Sequence, residues 1–450
     1  MSTVTVLGAH DQTFTLAYDT AANAALARQL AAAITAGVEN GTLLPAVDTD
    51  GPPPTLPSGA AGQFVQTNTG ATFLTPGYKA FVDTAPQSVV FGSGDVDESV
   101  LSSIGQMVFN ATGGSGTVVA GGGDNRIVIP GNDSGNWSIN TGKGNDVIQA
   151  LGAGDNSISA GQGQNAILLG SGNSLVDTTG DDTVSASGGN ATVTATGNAS
   201  DLIFGGTSLF YVGAGGTSAT IFGGSGSDTF LGSLGPHAGP HIVHGGSAGD
   251  NFLSAGTGNT TLFGGGDGDQ LFALGSAGQA LHAGAGDETL NGAFATGADT
   301  FFASAGNTTI TGGTGPDSFV FTNGQGGGTD LIQFFMSGQD TIDLQGYAKN
   351  EVSKALKSQT VSGNSVTITL SDHTTITFAG ITSLSASDFV ATGGAGGAGG
   401  GNGDDDGRDH DHDRGRSDDH GHGHGQIGHG DHDDGDMRHI RDLPGGHSDH

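Results

Sequence analysis

Short apolar stretches separated by glycine-rich turns recur about every nine residues from Gly121 to Val320. Within each stretch large apolar residues alternate with small or polar ones, as in Val147-Ile148, Ser157-Ile158, Ala166-Ile167 and Leu175-Val176. Alternation over so few residues predicts very short strands with one face turned inward. Glycines before each stretch permit a tight turn with positive φ. One such unit buries too little apolar surface to stand alone, so the copies must stack into a coil around a narrow core of Val, Ile, Leu and Phe.

The clearest copies are Gly223-Gly224-Ser225-Gly226-Ser227-Asp228-Thr229-Phe230 and Gly312-Gly313-Thr314-Gly315-Pro316-Asp317-Ser318-Phe319. An Asp just before the strand offers a hard oxygen donor, the kind that suits calcium. Read along the repeats, that position runs Asp146, Asn156, Asn165, Ser174, Asp182, Ala191, Asp201, Asp228, Asp250, Thr260, Asp269, Gln279, Glu288, Asp299, Thr308 and Asp317. Asn and Ser at this place can hold a turn by side-chain hydrogen bonds instead. Pro236, His237 and Pro240 interrupt the period after Asp228.

These motifs resemble the RTX, or haemolysin-type calcium-binding repeat, family over about half the chain. The resemblance implies a parallel β-roll in which two repeats close one coil, with calcium held between turns one coil apart. On that basis Asp299 with Asp317, and Asp250 with Asp269 and Glu288, are the leading candidate sites, followed by Asp228 and Asp146. It also implies export through a type I secretion apparatus. Thr329-Asp330-Leu331-Ile332-Gln333-Phe334 and Gly338-Gln339-Asp340-Thr341-Ile342-Asp343-Leu344 resemble the closing module of such proteins, and Ser387-Asp388-Phe389-Val390 their apolar export ending. Strands are expected at 365–370 and 374–379.

Charge adds an independent argument. Lys+Arg 12 stands against Asp+Glu 45, a formal net charge of -33, and no Lys or Arg lies between Lys143 and Lys349. Carboxylates crowded on a coil repel one another, and divalent cations are the simplest compensation. The same balance argues against nucleic-acid binding, which needs clustered bases. Cys 0 excludes disulfides, thiolate zinc sites and thiol chemistry.

The start of the chain, Met1-Ser2-Thr3-Val4-Thr5-Val6-Leu7, lacks the pattern of a cleaved signal peptide, and no segment is expected to span a membrane. Residues 1–110 predict a mixed α/β domain capping the open end of the coil. It has strands at 3–7, 63–65 and 88–91, a helix from Thr20 to Ala36 and a second helix from Asp97 to Phe109. Residues 111–325 form the repeat region and 326–390 the closing module. From 391 to 450 the chain becomes a Gly/Asp/His tail expected to be disordered. There His410, His412, His420, His422, His424, His429 and His432 alternate with carboxylates, a pattern suited to zinc, nickel or copper.

Catalytic signals are thin. No HExxH occurs. Gly245-Gly246-Ser247-Ala248-Gly249 matches GxSxG inside the repeats, without the long strand and helix a nucleophile elbow requires. His237, His241 and His244 form a minor metal candidate. The expectation is therefore an all-β parallel β-roll, or β-solenoid: a secreted, calcium-binding protein with a structural or adhesive role at a bacterial surface or in a biofilm matrix. Surface polysaccharide and self-association are the candidate contacts. The alternative is a secreted polysaccharide-active enzyme, a lyase or epimerase, or another hydrolase.

Overall fold

Parallel pairing begins at Leu43–Val47 and continues coil by coil to Thr341–Gln345, so the stacking that short strands require runs through most of the chain. The computed structural model describes residues 1–249, 251–325 and 328–390. Each coil contributes one strand to each of two sheets. Sheet one passes through Trp137–Asn140, Thr229–Leu231 and Glu288–Ala295 to Thr329–Gln333. Sheet two, 15-stranded among the described residues, runs from Gly70–Phe73 to Thr341–Gln345. The architecture is the expected β-solenoid.

Alternation along each strand turns one residue in and the next out. Ile148, Ile167, Val184 and Ile203 stack inside sheet two, and Ile139, Ile158, Val176 and Val193 inside sheet one. Together they build a single apolar column from Phe64 to Phe389. The glycine turns allow coils to approach closely. A Cβ on Gly315 would fall 1.7 Å from the Gly297 carbonyl oxygen of the previous coil.

The first helix spans Ala21–Glu39, close to the expected range, and is capped by Thr20, whose side chain accepts the Asn23 N–H. Its stripe of Ala24, Ala27, Ala31 and Ile34 packs with the Ser2–Leu7/Thr13–Tyr18 hairpin on outward residues of sheet one, including Val65, Val82, Leu101 and Val119. It therefore covers a flank of the coil. The helix expected at 97–109 is instead two strands, Glu98–Ser102 and Gln106–Asn110, because Gly105 breaks the run and Met107 and Phe109 alternate inward. At the far end a helix at Glu351–Lys357 and the antiparallel strands Thr360–Ser362, Ser365–Thr369 and Thr375–Ala379 close the coil. The last of these pairs in parallel with Thr329–Gln333.

Candidate metal centres

The residue just before each strand points into the turn, and in the repeat region its side chain knits neighbouring coils together. In sheet two the Asn125 N–H donates to Oδ1 of Asp146 at 2.7 Å, Asp146 N–H to Oδ1 of Asn165 at 2.9 Å, and Asn165 N–H to Oδ1 of Asp182 at 3.0 Å. Asp182 N–H donates to Asp201 at 3.1 Å. Further along, Gln279, Asp299 and Asp317 donate in turn to Asp299, Asp317 and Asp340 at 2.8, 3.0 and 2.9 Å. Sheet one carries a second ladder: Leu209 to Asp228 at 2.7 Å, Asp228 to Asn251 at 2.8 Å and Asn251 to Asp269 at 2.8 Å. Each coil thus closes the previous one through a single oxygen.

Asp146, Asp228, Asp269, Glu288, Asp299 and Asp317 all stand at ladder positions and are buried. Asp299 and Asp317 are one coil apart, as are Asp269 and Glu288, whose following residues Gln270 and Thr289 are paired. Asp250 lies outside the described residues. The slot opposite Asp269 is filled by its neighbour Asn251, because the long turn at 232–240 shifts the count by one. The residue pattern did not single out Asn125, Asp330 or Asp340 for this role. They carry the weaker signal of an Asn or Asp at the start of an alternating stretch, immediately before the strand for Asn125 and Asp340 and at its second residue for Asp330.

The second oxygen of each carboxylate separates two kinds of turn. In the consensus turns it folds back on its own loop: Oδ2 of Asp228 accepts the Gly224 N–H at 2.8 Å, that of Asp317 the Gly313 N–H at 2.8 Å, and that of Asp340 the Met336 N–H at 2.7 Å. By contrast Oδ2 of Asp146, Asp182, Asp299 and Asp330 and both oxygens of Glu288 have no hydrogen-bond partner although they are buried. An uncompensated buried carboxylate must take up a proton or a cation. Burial, followed by the charges of Asp269 and Asp267, pushes the Glu288 carboxyl up to about 8. Burial also pushes Asp299 and Asp317 up to about 6, with a neighbouring carboxylate adding to it, Asp317 for the first and Asp340 for the second.

Oxygens also converge where glycine leaves room. A Cβ on Gly246 would lie 2.3 Å from Oδ2 of Asp228, 2.6 Å from the Gly224 carbonyl and 2.8 Å from the Gly226 carbonyl. On Gly264 it would stand 3.2 Å from Oδ2 of Asp269 and 3.3 Å from Oε2 of Glu288, with the Gly284 nitrogen nearer at 2.8 Å. Carboxylate and carbonyl oxygens from adjacent coils around a small gap form the donor set that calcium takes. The residues present fit the cation.

The histidines do not converge. His241 points inward and is buried with neither ring nitrogen bonded, and burial pushes its imidazole down to about 4. His244, three residues on, faces outward between Phe222 and Phe263. Strand alternation sends the two to opposite faces, so His237, His241 and His244 make no metal site. His410, His412, His420, His422, His424, His429 and His432 lie outside the described residues. Among the described residues no group of three or more His, Cys, Asp or Glu side chains is placed to hold a metal by side chains alone, and no helix is long and apolar enough to cross a membrane. The converging carbonyls therefore matter at Gly246.

Residues 90–389 match the family described as peptidase M10 serralysin C terminal. Among solved structures the chain is similar to the extracellular lipase LipA from Serratia marcescens, at 14% identity over 61% of this chain and 40% of the lipase chain, so it spans less than half of that protein. The TM-score is 0.19, at which the two chains do not superpose as wholes. No curated protein matches the sequence.

Proposed function

The chain belongs to the peptidase M10 serralysin C-terminal family over residues 90–389, and on that premise we propose that it is a secreted calcium-binding repeat protein whose coil folds outside the cell. Its role on this reading is structural or adhesive at a cell surface or in a biofilm matrix, and its route out is type I secretion. The observation that carries the calcium reading is the pairing of Asp269 with Glu288 over Gly264 inside a stretch that holds no Lys or Arg from residue 144 to 348. Two buried carboxylates on adjacent coils, with no Lys or Arg to balance them, oppose the closure of those coils. A bound divalent cation supplies the missing positive charge and shares oxygens from both turns.

The turns do the rest. Asp228, Asp269 and Asp317 fix the loop geometry through their own glycine N–H groups, so the carbonyls of Gly224 and Gly226 are already turned toward the gap at Gly246. Extracellular calcium modules bind at about 10⁻⁴–10⁻³ M, which sets the coil to stay open at cytosolic calcium and to close outside. Each site then stabilises the coil by about 1 kcal/mol through linkage, and several sites act together. Calcium titration of the full chain by circular dichroism tests this: β signal should rise over about 0.1–10 mM calcium. A spectrum unchanged between chelator and calcium would sink the reading.

A further inference from the structure

The outward face of sheet two carries a row of stacked rings that the calcium account does not use. Phe204, Phe222, His244, Phe263, His282 and Phe302 occupy one outward column on successive strands, with centroid separations of 5.3, 5.0, 4.5, 4.4 and 3.9 Å and planes within 18° of parallel. Stacking occupies the ring faces with one another, so the row presents ring edges. A sugar ring, which packs on an aromatic face, finds a platform only at the ends. Beside the rings, the other outward position of the same strands, from residue 202 to 300, holds Leu, Thr, Ile, Thr, Ala and Thr. In a chain of net charge -33, neither column holds an Asp, Glu, Lys or Arg. Phe204, Phe222 and Ile242 are exposed.

A flat, charge-free sheet favours a partner that is equally flat and uncharged. This molecule carries one. It is also a face on which two copies of so acidic a chain meet with little repulsion. The order of the rings supplies a further constraint. The row's last five rings, Phe222-His244-Phe263-His282-Phe302, are a palindrome about Phe263, with Phe204 one coil beyond them. A two-fold axis through Phe263 therefore places Phe opposite Phe at the centre and ends, and His244 of one copy opposite position 282 of the other. We propose that two copies pair through this face, antiparallel, about an axis at Phe263. Isologous contacts of this kind close on themselves. The inference stands on the ladder alone and does not depend on where cations bind.

Light scattering on the full chain, coupled to size exclusion and run with calcium and with chelator, reads the mass directly. The wild type should elute at twice 44.2 kDa in whichever condition it is folded. Phe263→Asp should weaken association by at least about tenfold. His244→Glu and His282→Lys should each weaken it, and the double substitution should restore it to within about threefold, since the new charges then face each other across the axis. Within one copy those positions are two coils, about 10 Å, apart with Phe263 between them, so they gain no internal partner. Should Phe263→Asp lose the β spectrum, Ile242→Glu charges the same face from an exposed position and must show the same loss. A monomeric folded wild type, a dimer indifferent to Phe263→Asp and Ile242→Glu, or a double variant no tighter than the singles would each overturn the pairing.

Discussion

The coils on either side of residue 210 solve the same closure problem with different chemistry. Between Asn125 and Asp182 the sheet-two ladder alternates Asn with Asp, and the next link, Asp182 to Asp201, joins two carboxylates. Each Asn donates forward: Nδ2 of Asn125 reaches Asp146 at 3.1 Å, and Nδ2 of Asn165 reaches Asp182 at 2.7 Å. The sheet-one ladder there is neutral, with Trp137 donating its N–H to Asn156 at 3.0 Å. Beyond residue 210 carboxylates follow carboxylates directly, as Asp269–Glu288 and Asp299–Asp317–Asp340. Asn251, between Asp228 and Asp269, Thr308, between Glu288 and Asp330, and Gln279, before Asp299, are exceptions. An amide donor hydrogen-bonds one oxygen of a buried carboxylate without bringing a charge, leaving only Oδ2 of Asp146 and of Asp182 without a partner, whereas two adjacent carboxylates need a positive partner. The first region should therefore hold together on hydrogen bonds and the second should require a cation.

The largest effect should come from filling the gap at Gly246. Gly246→Val places carbon where three oxygens converge, 2.3–2.8 Å away, and should cost at least about 3 kcal/mol of calcium-loaded stability. Thermal unfolding in calcium checks it, and a cost below about 1 kcal/mol would show that no ligand gap exists there. Next, Asp317→Ala removes the acceptor of the Asp299 and Gly313 N–H groups and should cost about 2 kcal/mol together with calcium affinity. Asn165→Ala should leave calcium affinity unchanged. Equal losses of affinity in both variants, by calorimetry, would erase the distinction between the regions.

pH sharpens the contrast with a definite sign. Glu288, Asp299 and Asp317 titrate higher when folded than a free carboxylate does. Without calcium, the folded coil then binds more protons than the unfolded chain between the ordinary carboxylate range, about pH 4, and about pH 8. Stability without calcium should accordingly fall as pH rises through that window, so β signal in chelator should be larger at pH 5 than at pH 8. Signal that grows toward pH 8 would contradict the burial of these groups. The smallest effect belongs to Glu288→Gln. It removes one buried charge, should shift apo stability upward by within about 1 kcal/mol, and should lower calcium affinity at the same time. A simultaneous gain in affinity would place the cation elsewhere.

Much of this was legible in the residue pattern. The turn-strand period marked the coil: of the sixteen ladder residues read from it, nine, Asp146 and Asp317 among them, stand immediately before a strand, and Ser174, Ala191, Asp201, Thr260, Glu288 and Thr308 at its first or second residue. Asp250 and Asn251 were interchangeable to the eye because both precede a strand and the turn at 232–240 resets the count. The coils before Gly121 were hidden, since turns such as Thr84-Ala85-Pro86 carry no Gly-Asp beat and Gly92-Ser93-Gly94-Asp95 has no regular neighbour. The distinction between closed and open carboxylates depends on a partner 17–23 residues away, which no local motif records. The outward ring ladder escaped for the same reason: its members are about 20 residues apart and meet only after coiling.

Hydrogen exchange resolved along the chain, in calcium and in chelator, tests the central claim most directly. The account expects the strands from Thr229–Leu231 to Thr341–Gln345 to lose protection in chelator while those from Arg126–Ile129 to Thr183–Ala186 keep it. Equal loss in both regions, or protection in both without calcium, would contradict it.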